Sequence, residues 1–214
     1  MKITKYEHAA LVIEEAGKLL VVDPGIVSKL PKLDNVQVVF ITHVHGDHLV
    51  VENIEKILEN NPDLTIAGSL EVLDELKDLE AKKLAVNDED RLSLGEFEIL
   101  VGGDNHAVIY KTSPCLNRSL IVNGKFYYPG DSFDLPTVGV ESIELVAVPA
   151  SAPWMKISEA MEFIKKLKVK RVFPTHNALL SEFGEKAEYN WLKKATDEVG
   201  TELLVIKPGD STEV

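Results

Sequence analysis

The sequence predicts an α+β fold in which two β-sheets pack face to face and helices cover their outer faces. Two observations predict it: the first third and the middle of the chain are rich in short β-type runs, and the last third alternates strand and helix patterns. Sheets and amphipathic helices bury their apolar sides against one another, which gives such layers. The chain has 214 residues, enough for a sizeable core, and no Pro/Gly/Ser-rich linker divides it. We therefore expect a single domain that spans residues 1–214.

The first part of the chain predicts strands followed by strand–helix alternation. The runs HAALVIEE and KLLVVDPG are separated by EAG, which indicates a hairpin, and NVQVVFITH is apolar enough for a strand buried on both faces. The next segment, VENIEKILENN, predicts a helix because apolar side chains recur at helical spacing, at Val51, Ile54, Ile57 and Leu58. LTIAG then predicts a strand, and SLEVLDELKDL predicts a helix whose N-cap is Ser69.

The rest of the chain returns to strands and then alternates. Strands are expected in DRLSLGEFEILVGG, HAVIYKT and RSLIVNGKFYYPGDS, where Asn123-Gly124 is a strong hairpin signal. Further along, IELVAVPA, RVFPTH and ELLVIKPG predict strands, and SEAMEFIKKLK and EKAEYNWLKKATDEV predict the helices between them.

The acidic composition argues against a nucleic-acid partner. The formal net charge is −12, from 23 basic and 35 acidic residues, whereas nucleic-acid binders depend on a basic face. The stretch MKITKYEHAALVIEE does not predict a signal peptide, and no apolar run is long enough to predict a membrane span. The single cysteine, Cys115, excludes an intrachain disulfide. We expect a cytoplasmic protein that acts on a small molecule, without nucleic acid or membrane; the oligomeric state is not indicated.

The segment THVHGDH holds three of the six histidines of the chain, and an aspartate, within six positions. His43 and His45 come at the end of the expected buried strand and, two residues apart, should point the same way. Gly46 permits a sharp turn after them, which would bring Asp47 and His48 to the same pocket. Imidazole and carboxylate are ligands for zinc, iron or manganese. Four such groups exceed what one catalytic ion with an open position needs, so we expect two metal ions.

Three more residues are candidates to complete the two sites. His106 opens the expected strand HAVIYKT, Asp131 follows a strand in YYPGDS, and His176 ends the strand RVFPTH. Each lies at a strand end beside turn residues, where functional groups are often held. Together they would supply one further histidine for each site and a carboxylate able to bridge them.

These motifs resemble the metallo-β-lactamase superfamily. THVHGDH is similar to its His-X-His-X-Asp-His signature, and His106, the Gly130-Asp131-Ser132 carboxylate and His176 follow in the order of the family. The opening HAALVIEEAGKLLVVDPG and the short chain look most like the compact metal-dependent hydrolase branch related to L-ascorbate-6-phosphate lactonase. The resemblance implies a four-layer αββα sandwich. It also implies that His43, His45 and His106 bind one metal, that Asp47, His48 and His176 bind the second, and that Asp131 bridges them.

The resemblance favours a hydrolytic site. The flavodiiron reductases of the superfamily carry Glu at the position of His45 and an additional flavin domain, for which this chain has no room. Two divalent ions, zinc first and manganese or iron as alternatives, can share a water and lower its pKa, so that the hydroxide attacks a carbonyl or phosphoryl centre. Asp47 would orient the nucleophile as well as bind metal, which makes it the candidate catalytic residue. A small ester, lactone or similar substrate is expected.

Four other residues are candidates for supporting roles. Asp23, in VVDPG, is a candidate acceptor for the N–H of a ligand imidazole, with a turn aspartate as the alternative. His8, Trp154 and Lys156 are candidates for substrate contact, with packing or solvation as the alternative for each. Two other functions remain open: a phosphodiesterase or nuclease on the same scaffold, and a metal-binding protein without catalysis.

Overall fold

The computed structural model describes residues 1–111, 114–136 and 142–214. These residues form fourteen β-strands and four α-helices. In chain order they are β1 Lys2–Lys5, β2 Leu11–Glu15, β3 Lys18–Val22, β4 Val36–Phe40, α1 Val51–Leu58, β5 Thr65–Gly68, α2 Leu70–Glu75, β6 Lys82–Ala85, β7 Arg91–Leu94, β8 Phe97–Gly102, β9 Ser119–Val122, β10 Phe126–Tyr128, β11 Leu145–Pro149, α3 Ile157–Leu167, β12 Arg171–Thr175, α4 Glu182–Val199, β13 Glu202–Leu203 and β14 Ser211–Glu213.

The strands build two mixed sheets of seven strands each, in the orders β14-β1-β2-β3-β4-β5-β6 and β13-β12-β11-β10-β9-β8-β7. In the first sheet β14 to β3 pair antiparallel and β3 to β6 pair parallel. In the second sheet β7 to β10 pair antiparallel and β10 to β13 pair parallel. The predicted α+β class is confirmed.

Alternating side chains along the strands divide the core into three layers. In β4, Val38 and Phe40 face the space between the two sheets, whereas Val39 faces the helices α1 and α2. In β11, Leu145 and Ala147 face the other sheet, and Val146 packs towards α3 and α4. The result is the expected order of helices, sheet, sheet and helices.

Local sequence sets most of the turns and helix ends. The hairpin between β2 and β3 has positive φ at Ala16 and Gly17, and Asn123 and Gly124 adopt positive φ in the turn between β9 and β10; both predicted hairpins are confirmed. The Ser69 hydroxyl accepts a hydrogen bond from the Val72 N–H, as expected of an N-cap.

The structure corrects the predicted strand HAVIYKT. Its residues 106–111 lie in no strand, and residues 112 and 113 lie outside the described part of the chain. Nearby pairing is limited to an isolated bridge between Asn105 and Leu116. The large side chains Val108, Ile109 and Tyr110 are exposed, so their pattern does not arise from a buried face.

Three further predictions need revision. ELLVIKPG contributes a strand of two residues, Glu202–Leu203, rather than a full strand. β4 ends at Phe40, so His43 lies beyond the strand and period-two alternation does not orient it. His8 lies in a turn before β2 rather than at the start of a strand. Across the described ranges, no helix combines the length and the apolar character needed to cross a membrane.

Candidate metal centre

The predicted site residues lie at one edge of the two sheets. The segment 43–48 follows β4, and His106, Asp131 and His176 follow β8, β10 and β12. β8 runs antiparallel to β9 and β9 antiparallel to β10, so β8, β10 and β12 point the same way. Functional groups in sheets with parallel strands gather at these carboxyl ends.

All six histidines of the chain converge here with two aspartates. Three overlapping groups each bring their nitrogen or oxygen atoms within 4.8 Å of one another, and these groups are His43, His45 and His106; His43, His48 and Asp131; and His8, Asp47, His48 and His176. The rings of the first group are 4.5–4.8 Å apart between centroids.

Hydrogen bonds donated by Nδ1–H fix the orientation of the buried imidazoles. The Thr42 hydroxyl gives its single proton to Asp23 Oδ2 at 2.8 Å, so it accepts from His43 Nδ1 at 2.9 Å. His48 Nδ1 donates to Asp23 Oδ2 at 2.8 Å. With Nδ1 protonated, the lone pair of each neutral ring is on Nε2, which faces the interior of the cluster.

The same arrangement holds for the two histidines that the second sheet contributes. His106 Nδ1 donates to the carbonyl of Ala107 at 2.5 Å, and His176 Nδ1 donates to the carbonyl of Ser151 at 2.7 Å. Both Nε2 atoms lie 3.2 Å from Asp131 Oδ2.

Asp131 lies between the groups of histidines. Its Oδ2 faces His106 and His176, while its Oδ1 is 3.2 Å from His48 Nε2. Asp47 approaches from the mouth of the site, where its Oδ2 is 3.3 Å from His176 Nε2 and 3.9 Å from His48 Nε2. Each carboxylate therefore lies close to the Nε2 atoms of more than one histidine.

The orphaned atoms of this cluster fit a cation. Four buried polar atoms of the cluster lack a hydrogen-bond partner although their neighbours are close: His43 Nε2, His48 Nε2, His176 Nε2 and Asp131 Oδ1. Buried polar groups are nearly always satisfied, and leaving one unsatisfied costs about 1–3 kcal/mol. Imidazole nitrogens and carboxylate oxygens that meet without hydrogen-bond geometry are the donor set that zinc, manganese or iron take.

The electrostatics separate protonated from neutral groups in the metal-free protein. Burial alone would raise the pKa of Asp131, but the charge of His48 and the adjacent His106 and His176 imidazoles hold it well below its usual range. Burial opposes charge on His48 too, yet Asp131 and Asp23 raise its pKa well above the usual value. Burial would lower the pKa of His176, but the adjacent carboxylates of Asp131 and Asp47 outweigh it and raise the pKa to about 9.

The pKa values of His43, His45 and Asp47 are lowered from their usual values. Burial, followed by the charge of His48, lowers the pKa of His43 well below its usual value, and burial lowers the pKa of His45. Burial would raise the pKa of Asp47, but the adjacent His176 imidazole and the hydrogen bond with His8 hold it below its usual range. Protons that a cation would displace therefore lie mainly on His48 and His176.

The four candidates for supporting roles differ in burial and in hydrogen bonding. Asp23 is fully buried and accepts from the backbone N–H of Thr42, the Thr42 hydroxyl and Nδ1 of His48, a candidate ligand. Trp154 is partly buried and donates from Nε1 to Asp131 Oδ2 at 2.7 Å. Lys156 is exposed and directly precedes α3. His8 is buried and hydrogen-bonds Asp47.

Sequence reasoning missed Asn117. This buried residue accepts from the Asp131 N–H at 3.0 Å and donates to the Pro129 carbonyl at 2.8 Å, so it holds the turn that carries Asp131. A Cβ at Gly130 would lie 2.2 Å from Asn117 Oδ1, which requires glycine there. The sequence around Asn117 does not predict this contact, because its partners are more than ten residues away.

Comparisons with known proteins agree with this architecture. A family model described as the beta-lactamase superfamily domain matches residues 2–176. Protein Rv0786c of Mycobacterium tuberculosis is 30% identical over 203 residues, which cover 92% of this chain and 93% of that protein. A UPF0173 metal-dependent hydrolase of Carboxydothermus hydrogenoformans is 24% identical over 235 residues, with 98% of each chain covered.

A solved structure extends the likeness to the fold. Igni18, a metallo hydrolase from Ignicoccus hospitalis, superposes with a TM-score of 0.73 at 18% identity and covers 100% of this chain and 98% of its own. With the two mixed sheets and the family match over most of the chain, the assignment is clear. The chain belongs to the metallo-β-lactamase superfamily, in its compact branch of metal-dependent hydrolases.

Proposed function

We propose that the cluster is the binuclear centre of a hydrolase that acts on a small ester, lactone or similar carbonyl substrate. The observation that carries this proposal is the position of Asp131, whose Oδ2 lies 3.2 Å from His106 Nε2 and from His176 Nε2, and whose Oδ1 lies 3.2 Å from His48 Nε2. A buried carboxylate with both oxygens shared between two sets of imidazoles is suited to bridge two cations.

The ligand sets follow from the neighbours of Asp131. His43, His45 and His106 would hold one ion, and Asp47, His48 and His176 the other. When bound, a pair of divalent ions, zinc first and manganese or iron as alternatives, supplies Lewis acidity and lowers the pKa of a water.

The protein side chains supply orientation around that pair. Asp47 is the more accessible of the two carboxylates, with 37% of its side chain exposed against 4% for Asp131. Asp47 is therefore the group that can accept a hydrogen bond from the attacking water and hold it towards the substrate. Asp23 keeps His48 in the tautomer that presents Nε2, and Thr42 does the same for His43.

The surroundings of the site support a substrate with an apolar part. The loops that follow β3, β8 and β12, the strands before Asp23, His106 and His176, expose large apolar side chains, namely Ile26, Val27, Val108, Ile109, Tyr110 and Leu179. An apolar acyl or alkyl group beside the hydrolysed bond would cover such surface. The acidic net charge of −12 also favours a small substrate over a polyanion.

A substrate panel tests this proposal. Protein loaded with zinc or manganese is assayed on lactones, carboxylic esters of increasing chain length, thioesters, bis-p-nitrophenyl phosphate and RNA. We expect metal-dependent turnover of a carbonyl substrate, with kcat/KM rising with apolar chain length. Cleavage of the phosphodiester or RNA without turnover of any carbonyl substrate would reverse the assignment, and metal binding without turnover of any class would favour a non-catalytic protein.

A further inference from the structure

His8 adopts a backbone conformation that non-glycine residues rarely take. It lies in the turn between β1 and β2 with φ at 61°, and only 3% of the residue is exposed. A left-handed conformation of this kind costs free energy and persists where surrounding contacts determine it. Residues in such conformations cluster at functional sites, so the backbone of His8 suggests a functional role.

The loop after β12 holds His8 from both sides. The His8 carbonyl accepts from the backbone N–H of His176 at 2.9 Å, and His8 Nδ1 accepts from the backbone N–H of Ala178 at 3.2 Å. The His8 and His176 rings are 3.8 Å apart between centroids. These three contacts fix both the backbone and the ring of His8.

The contact with Ala178 decides the tautomer of His8. A ring nitrogen that accepts a hydrogen bond carries no proton, so the proton of the neutral ring is on Nε2. His8 Nε2 lies 3.1 Å from Asp47 Oδ2, and it therefore donates to that carboxylate. The buried ligand candidates show the reverse arrangement, since His43, His48, His106 and His176 donate from Nδ1 and present Nε2 to the cluster.

We infer that His8 is a positioning residue that fixes the Asp47 carboxylate through its Nε2–H, and not a metal ligand or a substrate-binding group. Asp47 follows β4 of the first sheet and Ala178 follows β12 of the second, so His8 ties together the two loops that would form the second metal site. The side chain of Asp47, 37% exposed, needs such a restraint more than the enclosed Asp131. The inference rests on the proposed binuclear centre and assigns a role within it.

Two substitutions separate the functions of the ring. His8→Asn places an amide oxygen near the position of Nδ1, so it keeps an acceptor for the Ala178 N–H and tolerates positive φ, but it is too short to donate to Asp47. His8→Gln extends an amide N–H towards the position of Nε2 and so restores a donor to Asp47. The pair thus separates the two hydrogen bonds of the ring, because His8→Asn keeps only the one from Ala178 and His8→Gln keeps only the one to Asp47.

Stepwise metal binding tests the inference without an activity assay. Metal-free wild type, His8→Asn and His8→Gln are titrated with Co²⁺ and with Zn²⁺ against a chromophoric chelator, and thermal unfolding of the metal-free proteins is measured. We expect His8→Asn to weaken one of two dissociation constants by roughly 10- to 100-fold, the usual effect of losing a partner behind a metal ligand. The other constant and the Tm should stay near wild type, and His8→Gln should recover most of the loss.

Each other result has a distinct meaning. Two unchanged constants in His8→Asn overturn the inference alone, and so does an equal loss in both variants, which would make the ring itself a ligand. A lower Tm with both sites weakened in both variants overturns it in favour of a purely structural role. Wild type that binds no metal, or only one ion, overturns the proposed binuclear centre and the inference with it.

Discussion

The indole Nε1 of Trp154 donates a hydrogen bond of 2.7 Å to Oδ2 of Asp131, the carboxylate that lies between the two sets of histidines. The indole also packs edge-on against Phe133, with ring centroids 5.1 Å apart. Trp154 thus orients a central carboxylate from the loop after β11, which is a more specific role than the apolar substrate contact expected from the sequence.

Trp154→Phe should weaken metal binding while the fold persists. Phenylalanine keeps the aromatic contact with Phe133 but removes the donor to Asp131, and losing such an outer partner costs about 10- to 100-fold in metal affinity. Chelator competition measures the change. Trp191→Phe, at a half-exposed position on α4, is the matched control and should bind metal as wild type does. Equal affinity in wild type and Trp154→Phe would show that the indole does not hold Asp131.

Substitution by alanine should be damaging at Gly25 and tolerated at Gly46, although both glycines lie beside the site. A Cβ at Gly25 would lie 1.8 Å from the backbone oxygen of Asp47, whereas a Cβ at Gly46 meets no atom within 4 Å. Gly25→Ala should lower stability by about 1–3 kcal/mol and reduce metal affinity, because the 46–48 segment must move. Gly46→Ala should leave both near wild type in urea unfolding and metal titration. Equal tolerance at the two positions would contradict the packing of the Gly25 loop against Asp47.

Asp23→Asn should lower stability and weaken metal binding at the proposed second site. Asp23 accepts three hydrogen bonds of 2.8 Å from Thr42 and His48 in a fully buried position. An amide NH₂ faces at least one of these donors, which leaves buried groups unsatisfied at a cost of about 1–3 kcal/mol. Denaturant unfolding and metal titration measure the two effects. Asp34→Asn, at an exposed position, serves as the control. Stability and metal affinity as high in Asp23→Asn as in Asp34→Asn would refute the role given to Asp23.

Metal binding should release protons at neutral pH. In the metal-free protein the pKa of His176 is about 9 and that of His48 lies well above the usual value, so both rings are protonated at pH 7. A cation must displace these protons, and affinity should therefore rise as the pH increases from 7 towards about 9. Calorimetry in buffers of different ionisation enthalpy counts the released protons. Binding at pH 7 without proton release would contradict the assigned ligands.

The sequence was sufficient for the parts of the fold whose apolar pattern is strong. Buried strands such as β4 and β11, the helices, and the turn at Asn123-Gly124 could be predicted because burial and turn chemistry act locally. The edge strands β6 and β14 could not, since KKLA and STE contain few apolar residues and form strands only by pairing with β5 and β1. Polar and Lys-rich edges of this kind also discourage further strand pairing.

The segment after His106 shows how an apolar pattern can mislead. Val108, Ile109 and Tyr110 form an unbroken run of β-favouring residues, but they are exposed in a loop. The chain turns away from β8 where Gly103 adopts a φ of 85°, and the Arg118 guanidinium binds the Gly103 carbonyl there. The apolar pattern of the segment reveals neither the positive φ of Gly103 nor the long-range contact with Arg118.

The candidate site was predictable in its members and not in its hydrogen bonds. The spacing of THVHGDH and the strand-end positions of His106, Asp131 and His176 indicated a common site, and the structure places these residues together. The tautomer of His8 depends on Ala178, which is 170 residues away, and the orientation of Asp131 depends on Asn117 and Trp154. Such contacts exist only once the two sheets have packed.

Anomalous diffraction from crystals grown with Zn²⁺ or Mn²⁺ tests the central claim most directly. We predict two peaks roughly 3.5–4 Å apart, one bounded by His43, His45 and His106 and the other by Asp47, His48 and His176, with Asp131 between them. A single peak, or peaks beyond the reach of Asp131, would contradict the binuclear centre.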